Sequence, residues 1–331
     1  MEDCFEVKPT QYWVDFGLSI SLAWVCFVFG DRSTSWALQA SFFIASSLLF
    51  YRSMLFIHEL THLRREDIPY FSIAWNLLAG IPLMLPSFMY RGVHLDHHKR
   101  GTYGTKEDGE YSAFGGSSPL KLIPYFLQCF SVPVALYLRF ALLNPISLLH
   151  PALRKLLMER GSALAIQFEA KRKIPSGIDL RNWKILDFLT SLHVYFASYL
   201  FISHVLAWST LLHFYGIMVA VLFVNSIRTV VAHRYTNQSL QEMSFQDQLL
   251  DSINVEGNII FHELMAPVGL RNHGLHHLFP SMPYHSLETA HRYTISPLCR
   301  QSLGAAFPNH IDIIDHHLCH PARSGLAISK N

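Results

Sequence analysis

The stretch FLTSLHVYFASYLFISHVLAWSTLLHFYGIMVAVLFVNSI, from Phe188 to Ile227, contains 40 residues without one Asp, Glu, Lys or Arg. A helix crosses the hydrocarbon core of a bilayer with about 20 apolar residues. This stretch therefore has the length of two membrane helices joined by a tight turn. A buried hairpin of a soluble protein is the alternative, and the length of the uncharged run argues against it.

Two further runs, near the start of the chain, have the same character. Ser33 to Tyr51 is uncharged, and Trp13 to Gly30 contains only one charged residue, Asp15. Half of the chain is apolar (50%), only 15% is charged and the mean hydropathy is +0.22, whereas soluble domains carry roughly 25% charged residues. The sequence predicts an all-α, multi-pass integral membrane protein.

The distribution of basic residues predicts the orientation. Lys and Arg accumulate in cytoplasmic loops, and Arg139 to Lys184 contains nine of them against three acidic residues. The link between the first two apolar runs contains one basic residue, Arg32. We expect about four transmembrane helices, in hairpins over residues 13–51 and 188–227, with the basic segments on the cytoplasmic side.

Two other apolar stretches contain prolines and are flanked by segments that the charge rule places in the cytoplasm. Tyr70 to Tyr90 contains two prolines, and Leu120 to Leu149 contains three. Both are interpreted as re-entrant or interfacial helices, and six ordinary spans are the alternative. The helical stem then carries a histidine-lined cap on the cytoplasmic face.

Histidine is abundant, with 20 residues, and eight of them fall into three motifs. HELTH contains His58 and His62, HLDHH contains His94, His97 and His98, and HGLHH contains His273, His276 and His277. Residues at i, i+3 and i+4 lie on one face of a helix. Three such groups in one chain indicate a metal site.

HELTH alone matches H-E-x-x-H, the zinc signature of many metalloproteases, in which Glu59 would be the general base. A catalytic zinc needs only three protein ligands, so this interpretation leaves both H-x-x-H-H motifs unused. Eight imidazoles suit two metal ions with about four to five nitrogen ligands each. Imidazole binds zinc, copper, iron and nickel, so the ligand type does not identify the metal.

As a set, the three motifs resemble the histidine boxes of the membrane-bound fatty acid desaturase and hydroxylase superfamily. The resemblance extends through RTVVAHRYTN, residues 228–237, and ELMAPVGLRNHGLHHLFPSMPYHSL, residues 263–287, and covers about residues 35–295. It implies two histidine-bound non-haem Fe²⁺ ions and O₂ as a co-substrate. It also implies hydrogen abstraction from an unactivated C–H bond.

Members of this superfamily often use a ninth histidine beyond the last membrane helix. His233 lies five residues beyond Arg228, and His58 lies six beyond Arg52. On continuous helices these spacings place both rings about 8 Å past an arginine, so His233 is the expected ninth ligand and His262 its competitor. Within HELTH, Glu59 either accepts a hydrogen bond behind the ligands or is solvated.

The resemblance predicts a desaturase that introduces a double bond into the acyl chain of a lipid. A hydroxylase or ketolase of an apolar substrate is the alternative, and a membrane zinc protease or a non-enzymatic metal sensor is more remote. The absence of an H-P-G-G motif indicates that electrons come from a separate protein of ferredoxin, rubredoxin or cytochrome b5 type. No nucleic-acid partner is expected.

The expected domain organisation is simple. One membrane domain of the desaturase type occupies residues 1–331, with its core at 35–295 and a polar tail at 296–331. The active site is expected on the cytoplasmic face.

Overall fold

The computed structural model describes residues 2–294, apart from residues 116, 117, 168 and 256. The tail predicted at 296–331 lies outside these residues. Five helical segments are long and apolar enough to cross a membrane. They are α1 (Pro9–Arg32), α2 (Trp36–His62), the segment Leu122–Ser147, α8 (Gly177–Ile202) and α9 (Trp208–Ala232).

The segment Leu122–Ser147 comprises α5 (Leu122–Leu138), a π-helical turn (Arg139–Leu143) and α6 (Asn144–Ser147). The shorter helices are α3 (Phe71–Trp75), α4 (Phe88–His97), α7 (Pro151–Arg160), α10 (Phe245–Asp251), α11 (Ile259–Met265), α12 (His273–Leu278) and α13 (Tyr284–Thr294). A second π-helical turn follows α3 at Asn76–Gly80, and 3-10 turns occur at Glu2–Phe5, Pro119–Lys121 and Leu270–Asn272. No strand occurs among residues 2–294 as described, so the all-α prediction is confirmed.

The two predicted hairpins are present as α1–α2 and α8–α9. Tyr12, Phe16 and Phe56 pack between α1 and α2 with ring centroids 5.7 and 6.3 Å apart. Near the HELTH end of the first hairpin, Arg52 binds Asp15 at 2.7 Å. Asp15, the only charged residue between Trp13 and Gly30, is therefore paired with an arginine of the neighbouring helix.

The stretch from Phe71 to Gly80 is helical for only 10 residues, half the length that a span requires. It is too short to cross, as expected for a re-entrant or interfacial helix. Asn76 closes the return because its side chain accepts from the backbone N–H of Ser87 at 2.9 Å. Trp75 donates to the Ser53 carbonyl at 2.9 Å, so the segment is fixed against α2.

The Leu122–Ser147 segment, predicted as a re-entrant or interfacial helix, has 26 residues and by length and composition is also long enough to cross. Pro133 lies inside α5 without ending it, and the Arg139–Leu143 π-turn follows six residues later. Pro145 lies in the first turn of α6, directly after this π-helical turn. Length and composition alone make this segment a fifth candidate span, so its assignment as a re-entrant or interfacial helix stays a prediction.

A buried ion pair joins the Leu122–Ser147 segment to α8. Arg139 binds Asp187 at 2.5 Å, and Arg154 of α7 binds the same carboxylate at 2.7 Å. Arg139 and Asp187 are 4% and 1% exposed, so each charge depends on the other for compensation. Removing one partner of a buried pair typically costs about 3–5 kcal/mol.

We therefore predict that Asp187→Asn lowers the melting temperature of the detergent-solubilised protein markedly, because it leaves Arg139 buried without a counter-charge. Thermal unfolding followed by intrinsic fluorescence measures the effect. Glu107→Gln, which removes an exposed carboxylate, is the control and should melt as the wild type does. An unchanged melting temperature for Asp187→Asn would show that the pair does not stabilise the helix contact.

Candidate metal centre

Four segments bring histidines to one buried region. The last turns of α2, the end of α4, the residue after α9 and the short helix α12 all converge there. The nine histidines are those predicted from the sequence: His58, His62, His94, His97, His98, His233, His273, His276 and His277.

The first cluster consists of five histidines, and one ring nitrogen from each lies within 4.8 Å of those of the others. His98 is at its centre, with its Nε2 atom 3.1 Å from that of His94 and 3.2 Å from that of His276. The remaining members are His58 and His62. Both boxes near the N-terminus and the box near the C-terminus therefore contribute to one site.

The second cluster consists of His97, His233, His273 and His277. The Nε2 atom of His273 lies 3.0 Å from that of His233 and 3.1 Å from that of His277. The two clusters adjoin, because the rings of His98 and His277 stack with their centroids 4.4 Å apart.

Each H-x-x-H-H motif divides its histidines between the clusters. The first and last members of HLDHH join the first cluster, and His97 joins the second. In HGLHH the arrangement is reversed, since only His276 joins the first cluster. On a helix, residue i+4 lies about 40° to one side of residue i and residue i+3 about 60° to the other, so one motif serves two sites.

The nitrogen positions fit metal ions. Two ligands at about 2.1 Å from one ion and at right angles to each other are about 3.0 Å apart. The four Nε2 separations within the clusters are 3.0–3.2 Å. In addition, the Nε2 atoms of His58, His62 and His97 are buried without a hydrogen-bond partner among the described residues, which is unusual unless something else binds them.

Burial also sets the protonation of the rings. It lowers the pKa of His94, His98, His276 and His277 well below the ordinary value for histidine, and the neighbouring imidazoles lower it further. These rings are neutral at pH 7, and neutral imidazole is the form that binds a metal. Burial acts on His97 in the same direction, but the carboxylates of Asp108, Glu110 and Asp251 together outweigh it and raise that pKa.

Outer acceptors orient several rings. Asp108 lies 2.9 Å from His97 Nδ1, and Glu110 lies 3.0 Å from His94 Nδ1. The Tyr103 hydroxyl lies 2.9 Å from His233 Nδ1 and donates to Asp251 at 3.0 Å. An acceptor at Nδ1 keeps the proton on that nitrogen, so Nε2 has a free lone pair, and it also fixes the plane of the ring. Each of these contacts therefore directs Nε2 into its cluster.

Glu59 is buried, which excludes the solvated role and leaves that of an acceptor. It accepts from the Tyr12 hydroxyl at 2.6 Å and from the backbone N–H of Tyr284 at 3.0 Å, and it lies 3.4 Å from His58 Nδ1. A protease base must reach a metal-bound water. Glu59 instead joins α1 and α13 to the back of His58.

His233 and His262 lie in different surroundings. His233 belongs to the second cluster, whereas His262 lies on α11 with its Nδ1 atom 2.9 Å from Arg271. The height argument for His233 assumed a continuous helix, but α9 ends at Ala232 and His233 is extended, with φ −135° and ψ 157°. A backbone bridge to Ser252 positions it instead.

The sequence analysis missed the outer acceptors Asp108, Glu110, Tyr103 and Asp251. The first three lie within 13 residues of HLDHH, in a segment from which the sequence analysis singled out no side chain. Acidic residues close behind a histidine motif were the available signal. Asp251 had none, because its contact with Tyr103 spans 148 residues.

The comparisons with known proteins agree with this geometry. The fatty acid desaturase family model matches residues 34–308. A ceramide hydroxylase of Caulobacter vibrioides (strain NA1000 / CB15N) is 36% identical over 306 residues, which cover 91% of this chain and 86% of that protein. No solved structure was found to match. By its family match and its two histidine clusters, the chain belongs to the fatty acid desaturase family of membrane proteins.

Proposed function

We propose that the nine clustered histidines bind two iron ions and that the chain uses them to hydroxylate a ceramide-like lipid. Two irons held in this way would supply the O₂-activating redox chemistry that an unactivated C–H bond requires, which zinc cannot supply. The observation that carries the proposal is the pair of clusters, with five and four imidazoles, in a chain 36% identical to a ceramide hydroxylase.

The protein's own contribution is orientation and the exclusion of water. Asp108, Glu110 and Tyr103 hold the Nδ1 sides of three rings, so the Nε2 atoms stay in place through a reaction cycle. His94, His97 and His276 are at most 1% exposed. A dry, preorganised site strengthens electrostatic interactions and prevents side reactions with water.

Desaturation is the second candidate, favoured by the family description. Both reactions begin with the removal of one hydrogen from a C–H bond. Hydroxylation then places an oxygen atom on that carbon, whereas desaturation removes a second hydrogen. The ceramide hydroxylase relative supports the first outcome for this chain.

The remaining partners follow from chemistry and charge. The lipid substrate enters from the membrane, and two electrons per turnover come from a separate electron-transfer protein of ferredoxin, rubredoxin or cytochrome b5 type. We place the site on the cytoplasmic face, because the basic segment from Arg139 to Lys184 follows the rule for cytoplasmic loops.

The first prediction concerns the metal. Protein purified without oxygen should contain about two iron ions per chain, since each cluster offers enough nitrogen ligands for one ion. Elemental analysis by plasma mass spectrometry measures the iron and zinc content. One zinc per chain, with no activity restored by iron, would refute the di-iron proposal.

The second prediction concerns the ligands. Replacing His62, His97, His276 or His233 by Ala should abolish product formation and lower the iron content, while the apolar helices still insert. His262→Ala is the matched control and should keep both ions, because its ring lies at Arg271 outside the clusters. If His233→Ala kept both ions and His262→Ala lost one, their assignments would have to be exchanged.

The third prediction distinguishes the two reactions. Cells that express the chain, supplied with ¹⁸O₂, should accumulate a sphingolipid that is heavier by one ¹⁸O atom, because hydroxylation transfers oxygen from O₂ to carbon. Lipid mass spectrometry measures this product, with the His97→Ala variant as the blank. A product lighter by two hydrogens and without ¹⁸O would establish desaturation instead.

A further inference from the structure

A cavity of about 580 Å³ lies beside the metal centre, between the end of α2, α3, α4 and the start of α8. None of the nine clustered histidines lines it. Its size falls in the range of ligand-binding pockets, roughly 300–1,000 Å³. Its walls are mainly apolar at one end, where Ile73, Leu77, Ile185 and Leu189 lie, and strongly basic at the other.

The basic end contains far more positive than negative charge. Five basic residues line the cavity, against one acidic residue, Asp179; they are Arg64, Arg65, Arg91, Arg172 and Lys173. Arg65 and Arg91 share Asp179, at 2.6 and 3.8 Å. Arg64 binds Asp67 at 2.9 Å. After these pairings, positive charge remains at Arg172 and Lys173.

Arg172 is the unusual member, because it is only 8% exposed. Its Nη1 atom donates to the carbonyl of Ser162 at 2.5 Å, but its Nε atom is buried without a hydrogen-bond partner among the described residues. The described residues show no carboxylate in ion-pair contact with it. An unpaired buried charge is costly, so an anion that reaches the exposed part of this guanidinium from the cavity would stabilise it.

The surrounding residues hold Arg172 in place. Its guanidinium lies over the Trp183 ring, 4.1 Å from the centroid, and Trp183 stacks on Phe88 at 5.0 Å. A Cβ atom at Gly92 would approach the Nη2 and Nε atoms of Arg172 to 3.1 and 3.2 Å. The site is therefore built around the guanidinium, with glycine where the helix backbone must come close.

Asp96, the other nearby carboxylate, is already paired with Lys99 at 2.5 Å. Burial and the charge of Arg139 lower the pKa of Arg172 to about 9, so it stays charged at neutral pH. A hydrogen bond from a charged guanidinium to phosphate is charge-assisted and stronger than one between neutral groups. The chemistry of the basic end thus matches a phosphate group.

The distance between the basic and the apolar end of the cavity suits a ligand with a polar head and a hydrocarbon chain. Asp179 and Leu189 both line it from α8, and ten residues of helix extend about 15 Å. The apolar end lies along two helices whose outer side chains, Ile73 and Ile185, are more than 40% exposed. A ligand there would place its head among the arginines and its hydrocarbon chain along α3 and α8.

We propose that this cavity binds a membrane lipid with a phosphate in its headgroup, and that Arg172 is the residue that holds the phosphate. The proposal is independent of the iron chemistry, because binding needs neither iron nor turnover.

The test uses the full-length protein in a neutral detergent and measures lipid retention by native mass spectrometry. The probes are dioleoyl phosphatidate, dioleoylglycerol, which lacks the phosphate, and inorganic phosphate, which lacks the chains. We expect binding of phosphatidate alone. Arg172→Gln should weaken it roughly 10- to 100-fold, the range for losing a hydrogen bond to a charged group. The control Lys106→Gln removes an exposed cation that does not line the cavity, and should bind normally.

Arg172→Lys keeps the charge without the planar fork and should bind phosphatidate better than Arg172→Gln. If the two variants bind equally poorly, the loss reflects a displaced loop and the assignment fails. Equal retention of dioleoylglycerol would overturn the role of the phosphate, and equal affinity for inorganic phosphate would overturn the role of the chains. Unchanged phosphatidate binding by Arg172→Gln would exclude Arg172 as the ligand.

Discussion

Nine imidazole rings share two small dry volumes, and this arrangement constrains every helix that supplies one. A buried ring nitrogen needs a partner on each side. On the Nδ1 side, residues such as Asp108 and Tyr103 provide it. On the Nε2 side several rings face each other, and a metal ion in each cluster would supply the partner that these nitrogens lack.

Charge balance leads to the same conclusion. Four carboxylates stand behind the ligand rings or one hydroxyl away from them: Glu59, Asp108, Glu110 and Asp251. Three are at most 4% exposed, and burial raises the pKa of Glu110 to about 7. So many acids in an apolar interior are unfavourable unless cations offset them. Two divalent metal ions would carry four positive charges.

The sequence predicted the parts of this fold that depend on composition and short-range spacing. The two hairpins and the eight histidines of the three motifs follow from uncharged runs and helical periodicity, whereas His233 followed from the family resemblance. The stretch from Leu120 to Leu149 was interpreted as re-entrant or interfacial from its prolines and its flanking segments, and the structure accommodates Pro133 within α5. The division of each H-x-x-H-H motif between two clusters depends on how four segments are rotated relative to one another. A short sequence motif does not determine that rotation.

Glu59 and the histidines of the first two motifs contact partners that are synthesised much later. Glu59 precedes most of the chain, yet it accepts a hydrogen bond from the backbone N–H of Tyr284. The first cluster needs His276, and the second needs His233, His273 and His277. Neither cluster is complete until the ribosome has passed residue 277. The histidines of HELTH and HLDHH therefore stay without their later partners during synthesis, and a metal ion could bind the full ligand set only after translation has passed HGLHH.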